Sequence, residues 1–495
     1  MRTLVWFRAD LRTHDNPALQ AAAKAASRDQ AGGCLAVFHV APRQWQSHDD
    51  APIKIDLFRR TLKQLSKDLA ERNIALRLVE SPTFDDAPKL LLNLAKEHGC
   101  DKLYFNRQYE LNERIRDEAV LDAFQDASLE TETFLDRIMF EPGDLRTGEG
   151  KYYSVFSPFF KAWQKAILDD TDRLDPIKLP DTQLAMVSEP DPIPDAFPGY
   201  ADEPLLLDPP DGFDPDSLWP AGEHAAAKRL KAFCKDAISD YKEQRDFPAT
   251  DHTSVLSPYL HNGSISMRQC VHAALAAQGE STPLKKRLQH HWISELVWRE
   301  FYQHILVGFS RVNRHRAFKP ETERLTWKDS PGDFEAWCEG RTGIPIVDAG
   351  MRQLRSTGWM HNRLRMITAM FLTKNLFQDW RKGEAFFMRH LIDGDLGSNN
   401  GGWQWSASTG TDAAPYFRIM NPVSQSKRYD PEGDAIRQHV PELADIDGPE
   451  IHEPDTLPSL LRSQLDYPEP LVDLKQSRQA AIDAFKALKA PQNSA

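Results

Sequence analysis

Short apolar runs alternate with amphipathic stretches over the first 135 residues. Four runs rich in β-branched and aromatic residues predict buried strands: 3–7, 35–40, 75–79 and 102–105. Apolar residues at helical spacing predict helices over 53–72 and 87–97. Strands that alternate with helices indicate βαβ units on a parallel, Rossmann-like sheet. The turn after the first strand, 8–12, contains no glycine, so a standard dinucleotide or phosphate cradle is not expected there.

The pattern changes beyond this region. Residues 176–220 hold 11 of the 34 prolines and ten acidic residues against one basic residue, Lys178, which indicates a surface linker without regular structure. From about Glu223 the pattern is nearly all amphipathic helix, with Pro and Gly between the apolar runs. We therefore predict an α/β domain at 1–135, a linker at 136–222 and an all-α domain at 223–495.

Composition and charge exclude several classes of protein. The 495 residues include 61 Lys+Arg and 73 Asp+Glu, a net charge of −12 that by itself argues against a nucleic-acid partner. No stretch approaches 18 uncharged apolar residues, and Arg2, Arg8 and Asp10 stand where a signal peptide needs an apolar core, so we expect a cytoplasmic protein. Five scattered cysteines without a CxxC pair predict neither disulfides nor a zinc site.

The charge is distributed unevenly along the chain. Residues 291–430 carry 19 Lys+Arg against 15 Asp+Glu, a net charge of +4, and hold eight of the twelve tryptophans. Two stretches are purely basic: Arg311, Arg314, Arg316 and Lys319, then Arg352, Arg355, Arg363 and Arg365. A positive, Trp-rich surface can hold a polyanion in an acidic protein because contact depends on the local field. Solvated helix faces explain either run equally well.

Two predicted helix faces combine aromatic and polar side chains. At 3.6 residues per turn, the first face carries Trp292, Glu295, Trp298, Arg299 and Tyr302. If Gly358 marks a helix start, the second face carries Trp359, Asn362, Arg363 and Met366. Such a set suits a flat ligand with polar edges. The structural alternatives are an internal Glu–Arg pair with aromatic packing and a Met/Trp core stripe.

Two further segments have the composition of ligand loops. Asp393 and Asp395 precede a glycine-rich turn where the backbone could approach a ligand closely. A calcium loop is excluded, because Gly397, Ser398 and Gln404 stand where such a loop requires Asp or Asn, Gly and Glu. Residues 253–260 place hydroxyls at a predicted helix start, which suits phosphate, although plain N-capping is the commoner use of such a run.

The motifs follow one another in a specific order. They are LVWFRxDLRxHDN at 4–16, YExNER at 109–114, QRDFP at 244–248, WMHNRLRM at 359–366, WQW at 403–405 and TGTDAAPYFR at 409–418. In these runs, and over almost the whole chain, the sequence closely resembles the photolyase/cryptochrome family, and within it the class I cyclobutane pyrimidine dimer photolyases of the enterobacterial, folate-antenna type. The resemblance implies an α/β antenna domain followed by a helical domain that holds FAD, active as its reduced anion.

The resemblance also implies the cofactor contacts. They are Tyr241, Thr253, Ser254, Val255, Leu256, Ser257, Trp292, Glu295, Arg299, Trp359, Asn362, Arg365, Asp393, Gly394, Asp395 and Asn399. Asn399 would face flavin N5. Val255 departs from the family, which usually has Arg at this position, so the pyrophosphate cradle is altered here.

A pyrimidine dimer extruded from DNA would meet a second set of residues, again by resemblance. They are Glu295, Trp298, Asn362, Arg363, Met366, Trp405 and Gln425, and Lys427 and the basic runs would follow the flanking phosphates. Glu295 would hydrogen-bond the dimer and stabilise its radical anion. Light-excited reduced FAD would donate an electron that splits the cyclobutane ring and then returns, the reaction of a carbon–carbon lyase acting as a monomer. Trp403, Trp380 and Trp327 match the electron-transfer chain that photoreduces the flavin.

A second chromophore is implied in the N-terminal domain. Asn112 and Glu113 match the antenna contacts of the folate-binding members, which implies 5,10-methenyltetrahydrofolate. Asn313 and Arg314 stand where close relatives carry Cys-Lys, so a deazaflavin antenna stays possible.

Three other functions remain as alternatives. A cryptochrome-type photoreceptor without repair activity is disfavoured by Met366 and Asn399, and by the short stretch after Leu471. Repair of (6-4) photoproducts is disfavoured because His361 is followed by Asn362, with Met366 where that activity needs a second histidine. A nucleic-acid-binding protein without flavin is disfavoured because the residues at the flavin-contact positions are present together.

Overall fold

A five-stranded parallel sheet forms the core of the N-terminal part. The structure, a computed structural model, describes residues 1–28 and 32–488. Its strands are β1 (Arg2–Phe7), β2 (Gly33–Val40), β3 (Ala75–Glu80), β4 (Lys102–Asn106) and β5 (Glu130–Phe134). Their order across the sheet is β3-β2-β1-β4-β5, with Val5 opposite both Ala36 and Tyr104. The order reverses direction between β1 and β4, which creates a crevice at their carboxyl ends.

Helices cover both faces of this sheet. They are α1 (Pro17–Ala26), α2 (Pro42–Ser47), α3 (Pro52–Ala70), α4 (Ala87–Glu97) and α5 (Leu111–Asp126). The four predicted strands and two predicted helices are confirmed, with ends that differ by at most two residues. Strand β5 escapes prediction because it alternates charged and polar residues, which stay largely in contact with solvent at the sheet edge.

The predicted linker, 136–222, needs a correction. It contains helix α6 (Phe156–Asp169), whose side chains Phe159, Trp163 and Ile167 are fully buried in the helical core. Apolar residues recur there at helical spacing and bury one face, whereas the proline-rich composition begins only at 176. Residues 175–214 contain no helix or strand, and a short helix α7 (Pro215–Leu218) follows. The exact domain boundaries stay a prediction.

The rest of the chain is helical, as predicted. Its helices are α8 (Glu223–Asp236), α9 (Tyr241–Gln244), α10 (Ser257–Asn262), α11 (Met267–Ala277), α12 (Leu284–Arg287), α13 (His291–Gly308), α14 (Pro331–Glu339), α15 (Pro345–Thr357), α16 (Asn362–Met370), α17 (Trp380–His390), α18 (Leu396–Ala407), α19 (Pro422–Tyr429), α20 (Asp434–His439), α21 (Ser459–Arg462) and α22 (Leu474–Ala487). Helix α18 packs on α13, α16 and α17. Among the described residues, no helix is long and apolar enough to cross a bilayer.

The two parts are in backbone contact beside β1. Gly263 has φ +75°, and a Cβ there would lie 2.2 Å from the Ala9 carbonyl oxygen, so only glycine permits this approach. Arg12 donates to the Gly263 carbonyl at 3.1 Å and forms a buried ion pair with Asp136. These contacts hold the crevice of the sheet against the helical part.

Candidate functional site

Helix α13 carries the polar and aromatic face that the sequence predicts. Trp292 is buried against Phe233, with ring centroids 4.8 Å apart. One turn later, Glu295 accepts a hydrogen bond from Arg245 Nη1 at 2.5 Å and keeps 31 % of its side chain exposed. Burial lowers the pKa of Arg245, but the Glu295 carboxylate outweighs it and the pKa is raised overall. The partner of Glu295 therefore comes from the loop after α9 and not from within α13.

Trp298 lies in an aromatic cage on the same helix. Its ring stacks face to face on Phe156, with centroids 3.8 Å apart and planes inclined by 9°. Phe301 meets it edge-on at 5.6 Å, and Tyr302 is tilted against it at the same distance. The indole is thus held on three sides and remains partly exposed.

Helix α16 carries the second predicted face but begins later than predicted. Gly358 adopts φ +70° and ends α15, so the interpretation of Gly358 as a helix start is wrong. The physical reason is that a left-handed glycine caps the carboxyl end of a helix. Trp359 consequently precedes α16. Within the helix, Asn362 Nδ2 lies 3.9 Å from the Met366 sulfur, so these two side chains share one face.

Two arginines of α16 bind acids from other segments. Arg365 Nη2 donates to both carboxylate oxygens of Asp393, at 3.0 and 2.8 Å. Arg363 pairs with Asp246 at 2.8 Å, and its guanidinium lies 4.2 Å from the centre of the Tyr429 ring. Asp246 follows Arg245 directly in the sequence, so one short loop binds both the carboxylate of α13 and the guanidinium of α16.

The glycine-rich stretch after Asp393 is helical, and the predicted turn is wrong. Asp395 accepts a hydrogen bond from the Ser398 N–H at 2.9 Å and thereby caps α18, which offsets the low helix propensity of glycine. The missing side chain of Gly401 allows Tyr302 to pack directly on the helix. Asn399 Nδ2 donates to the Glu384 carbonyl at 3.0 Å. Further along α18, Trp403 is buried and Trp405 is partly exposed.

Asp395 also belongs to a buried polar cluster between the two parts. Its Oδ2 accepts from Arg137 at 3.1 Å and lies 3.7 Å from His261 Nδ1. Burial raises the pKa of Asp395, but neighbouring His261 and the charges of Arg299 and Arg137 hold it well below its usual range. Arg299 itself donates to the carbonyls of Arg137 and Leu260, each at 3.0 Å. The side chains of Asp395 and Arg299 therefore already have protein partners.

Residues 253–257 lie beside Trp359. The Trp359 indole N–H donates to Ser257 Oγ at 3.4 Å, at the start of α10. Val255 has φ +45°, a conformation that β-branched residues rarely adopt. Within the part of the chain that the structure describes, the hydroxyls of Thr253 and Ser254 have no hydrogen-bond partner. Leu256 is buried, and Tyr241 is buried edge-on to the Phe233 ring that contacts Trp292.

The three tryptophans expected to carry electrons differ in burial. Trp403 and Trp380 are 2 % and 1 % exposed, and Trp327 is half-buried. Trp403 meets the Phe387 ring at 4.9 Å. The Trp327 ring packs on Phe377 at 5.0 Å, and the next backbone N–H donates to the Phe377 carbonyl at 2.9 Å. The 327–328 segment therefore lies beside the chain that leads into Trp380.

A cavity of about 240 Å³ opens at the carboxyl ends of the strands. Asn112 and Glu113 line it at the start of α5, and Asn313 lines it from the helical part. His48 lies between them, with Nε2 2.8 Å from Asn112 Nδ2 and Nδ1 3.6 Å from Glu113. Burial, with the charge of neighbouring Glu110, raises the pKa of Glu113.

The two basic runs differ in the structure. Every arginine of the second run has an acid partner, including Arg352 with Glu442 at 2.7 Å and Arg355 with Asp208 at 2.5 Å. A free phosphate track along this run is therefore not supported, because tertiary partners neutralise it. In the first run, Arg311 lies 3.6 Å from Glu323, while Arg314 and Arg316 are exposed. Gln425 is half-buried at the start of α19, and Lys427 lies 3.5 Å from Glu453.

Known proteins match both parts of the chain. The family model for DNA photolyase matches residues 3–180, and the model for the FAD binding domain of DNA photolyase matches residues 292–487. The chain is 43 % identical to the deoxyribodipyrimidine photo-lyase of Escherichia coli strain K12, over 98 % of each chain. The chain belongs to the DNA photolyase family. The Vibrio cholerae photo-lyase is 42 % identical over 98 % of this chain and 99 % of its own length.

Solved structures share the photolyase fold that the sequence predicts. A bacterial class III photolyase from Agrobacterium tumefaciens has a TM-score of 0.82 at 34 % identity, covering 99 % of this chain and 98 % of its own. A cryptochrome from Synechocystis reaches the same TM-score at 29 % identity, covering 98 % of this chain and 99 % of its own. The fold alone therefore does not separate photolyases from cryptochromes.

Three residues at these photolyase-family sites escape prediction from the sequence. Arg245 stands within the QRDFP motif, but its partner Glu295 is 50 positions away. Phe156 begins an apolar pattern of helical period that could have identified α6. His48 follows β2, and the rule that ligands bind at the carboxyl ends of parallel strands would have drawn attention to it.

Proposed function

We propose that this chain repairs cyclobutane pyrimidine dimers in DNA by light-driven electron transfer from reduced FAD to an extruded dimer. The observation that carries the proposal is the loop after α9, where Arg245 and Asp246 bind Glu295 of α13 and Arg363 of α16. Through these two side chains, the loop links α13 and α16, the helices that present the aromatic and amide side chains. Identity to photo-lyases at 43 % over nearly full length favours repair over the cryptochrome alternative.

The residues of α9 and of the segment that leads into α10 fit the pyrophosphate side of a bound FAD. The unpartnered hydroxyls of Thr253 and Ser254, together with Tyr241, Leu256 and Ser257, would hold the pyrophosphate side. Val255 would contribute its backbone there, where its positive φ turns the chain. When bound, reduced FAD supplies the electron that light promotes.

Two kinds of residue would surround the flavin ring and ribose. Trp292, Trp359, Asn362, the Arg365–Asp393 pair and Gly394 would contact them directly. Asn399 would face flavin N5 with an amide that the Glu384 carbonyl already fixes. Asp395 and Arg299, whose side chains are bound by protein groups, would act by holding the start of α18 and the end of α10 in place.

The lesion would lie against α13 and α18. Photolyases take the damaged bases out of the stack before they act on them. Trp298 and Trp405 would pack on the dimer, Glu295 would hydrogen-bond it, and Asn362 and Met366 would complete the wall. Arg245 holds the Glu295 carboxylate in one orientation, so the pocket is ordered before the dimer enters. Gln425 would reach the flanking phosphates, whereas Arg363, bound by Asp246, would line the pocket without a free contact to them.

A folate antenna would occupy the 240 Å³ cavity. Asn112 and His48 supply hydrogen-bonding groups there, and Glu113 supplies a carboxyl group for a pterin edge. The absorption spectrum of the isolated protein tests this assignment, since a pterin band in the near ultraviolet and a deazaflavin band in the blue are distinct. Trp403, Trp380 and Trp327 would photoreduce the flavin; the first two are buried and Trp327 is the partly exposed member of the three. A monomeric state and a cytoplasmic location remain predictions.

Repair of a defined substrate tests the function. Reduced, FAD-loaded protein should restore oligothymidylate that contains dimers under near-UV or blue light, and not in darkness. Glu295→Gln should lower repair per photon several-fold while FAD stays bound, because the amide keeps the shape and removes the charge. Glu335→Gln, at an exposed glutamate of α14, is the matched control and should repair normally. Flavin photoreduction without any repair would favour the cryptochrome alternative.

A further inference from the structure

We propose that Phe156 is a positioning residue of the lesion pocket, which fixes the Trp298 indole in the orientation that receives the dimer. The inference rests on the proposed function and deepens it. Phe156 belongs to α6, within the range 136–222 that is predicted to be the linker, and no motif of the family resemblance includes it. Its role would be exerted through Trp298 and not through contact with the lesion.

The stack between the two rings is the closest aromatic contact in the described residues. Its centroid distance of 3.8 Å and its 9° inclination mean that Phe156 stacks face to face on one side of the Trp298 indole. Phe156 is itself only 7 % exposed, and Phe160, one turn further along α6, stacks on it at 5.6 Å and 10°. Phe301 and Tyr302 contact the indole from other directions, and it remains partly exposed, so part of the ring is left for a ligand.

The first turn of α6 also ties this stack to the far side of the pocket. The Phe156 N–H donates to Asp412 Oδ2 at 3.1 Å, and Thr411 Oγ1 donates to the Ser154 carbonyl at 2.6 Å. Both partners belong to the TGTDAAPYFR segment, in which the Ala414 N–H donates to the Trp405 carbonyl at 3.3 Å. One helix start thus sets the position of Trp298 and of the backbone beside Trp405, the two indoles between which the dimer would pack.

Orientation of an indole affects binding because a stacked pair depends on parallel planes and loses contact when one ring rotates. Phe156 restricts that rotation before the lesion arrives, so that less conformational freedom is lost on binding. Removing the Phe156 ring should therefore weaken the affinity for a dimer by about 3- to 10-fold. Affinity for undamaged duplex, in which no base is extruded, should stay unchanged.

The test compares three variants of the FAD-loaded protein in darkness. Phe156→Leu removes the stacked ring, Phe156→Tyr keeps it, and Phe160→Leu makes the same chemical change one turn away without touching Trp298. Affinities are measured for a duplex with one thymine dimer and for the undamaged duplex. We expect the dimer affinity to fall 3- to 10-fold in Phe156→Leu, to recover in Phe156→Tyr, and to change less than 2-fold in Phe160→Leu. FAD content, measured from flavin absorbance, reports whether each variant folds.

A double-mutant cycle with Trp298→Leu separates this inference from the proposed function. In the Trp298→Leu background, Phe156→Leu should cause no further loss of dimer affinity. If Trp298→Leu alone leaves that affinity unchanged, the lesion site of the proposed function is wrong. If Trp298→Leu weakens binding but Phe156→Leu has no effect, has an equal effect in both backgrounds or raises the affinity, the positioning role of Phe156 is wrong and the proposed function stands.

Discussion

Replacing Gly401 by alanine should destabilise the protein, whereas the same change at the adjacent Gly402 should stabilise it. Both glycines lie inside α18. A Cβ at Gly401 would lie 2.1 Å from Tyr302 Cε1, but a Cβ at Gly402 would meet nothing within 4 Å. The Tyr302 ring cannot easily move aside, because Trp298 packs against it on the same helix.

The expected magnitudes follow from these distances. Alanine is favoured over glycine inside a helix by about 1 kcal/mol, so Gly402→Ala should raise the free energy of unfolding by up to that amount. Overpacking in a close contact costs about 1–3 kcal/mol, and a distance far below van der Waals contact places Gly401→Ala at the upper end. After the helix gain is subtracted, Gly401→Ala should lower the free energy of unfolding by about 2 kcal/mol.

Urea unfolding followed by circular dichroism measures both variants against the wild type under one condition. Both positions lie in the same helix, and both variants are measured in the same solvent with the same flavin content. The difference between their free energies of unfolding therefore isolates the contact with Tyr302. Gly401→Ala should also weaken dimer binding, since a displaced Tyr302 no longer braces Trp298. If the two variants shift stability in the same direction, α13 and α18 do not approach as closely as the structure has them.

Three other changes have defined outcomes. Burial raises the pKa of Asp348 to about 6 from 3.8, so the group stabilises the fold below 3.8 and that contribution is lost as the pH rises through 6. Asp348→Asn should therefore remove about 2 kcal/mol of the difference in unfolding free energy between about pH 4 and about pH 7. An unchanged difference in urea unfolding contradicts this. Trp327→Phe should block photoreduction of oxidised flavin, followed by absorbance, yet spare repair by the pre-reduced enzyme; loss of both contradicts the electron chain. His48→Ala should lower the affinity for the second chromophore about 10-fold while FAD is retained. Unaltered antenna absorbance would contradict binding of that chromophore in the cavity beside His48.

The sequence by itself predicts the elements and their faces. Period-2 and period-3.6 patterns depend only on neighbouring residues, which is why the four strands and the face of α13 are confirmed. The same local logic explains the errors. Gly358 and the glycines after Asp395 have weak local preferences, and a cap decides whether each glycine ends a helix or lies inside one.

The tertiary structure alone decides which side chains meet. The pair of Glu295 with Arg245 and the stack of Trp298 on Phe156 join residues that are 50 and 142 positions apart, and no periodicity encodes such distances. The net charge of −12 and the local excess of +4 are likewise sums along the chain, whereas ion pairing depends on proximity in space. The second basic run contains no acid, yet folding brings a carboxylate to each of its arginines, so its counted charge is not the charge that DNA would meet.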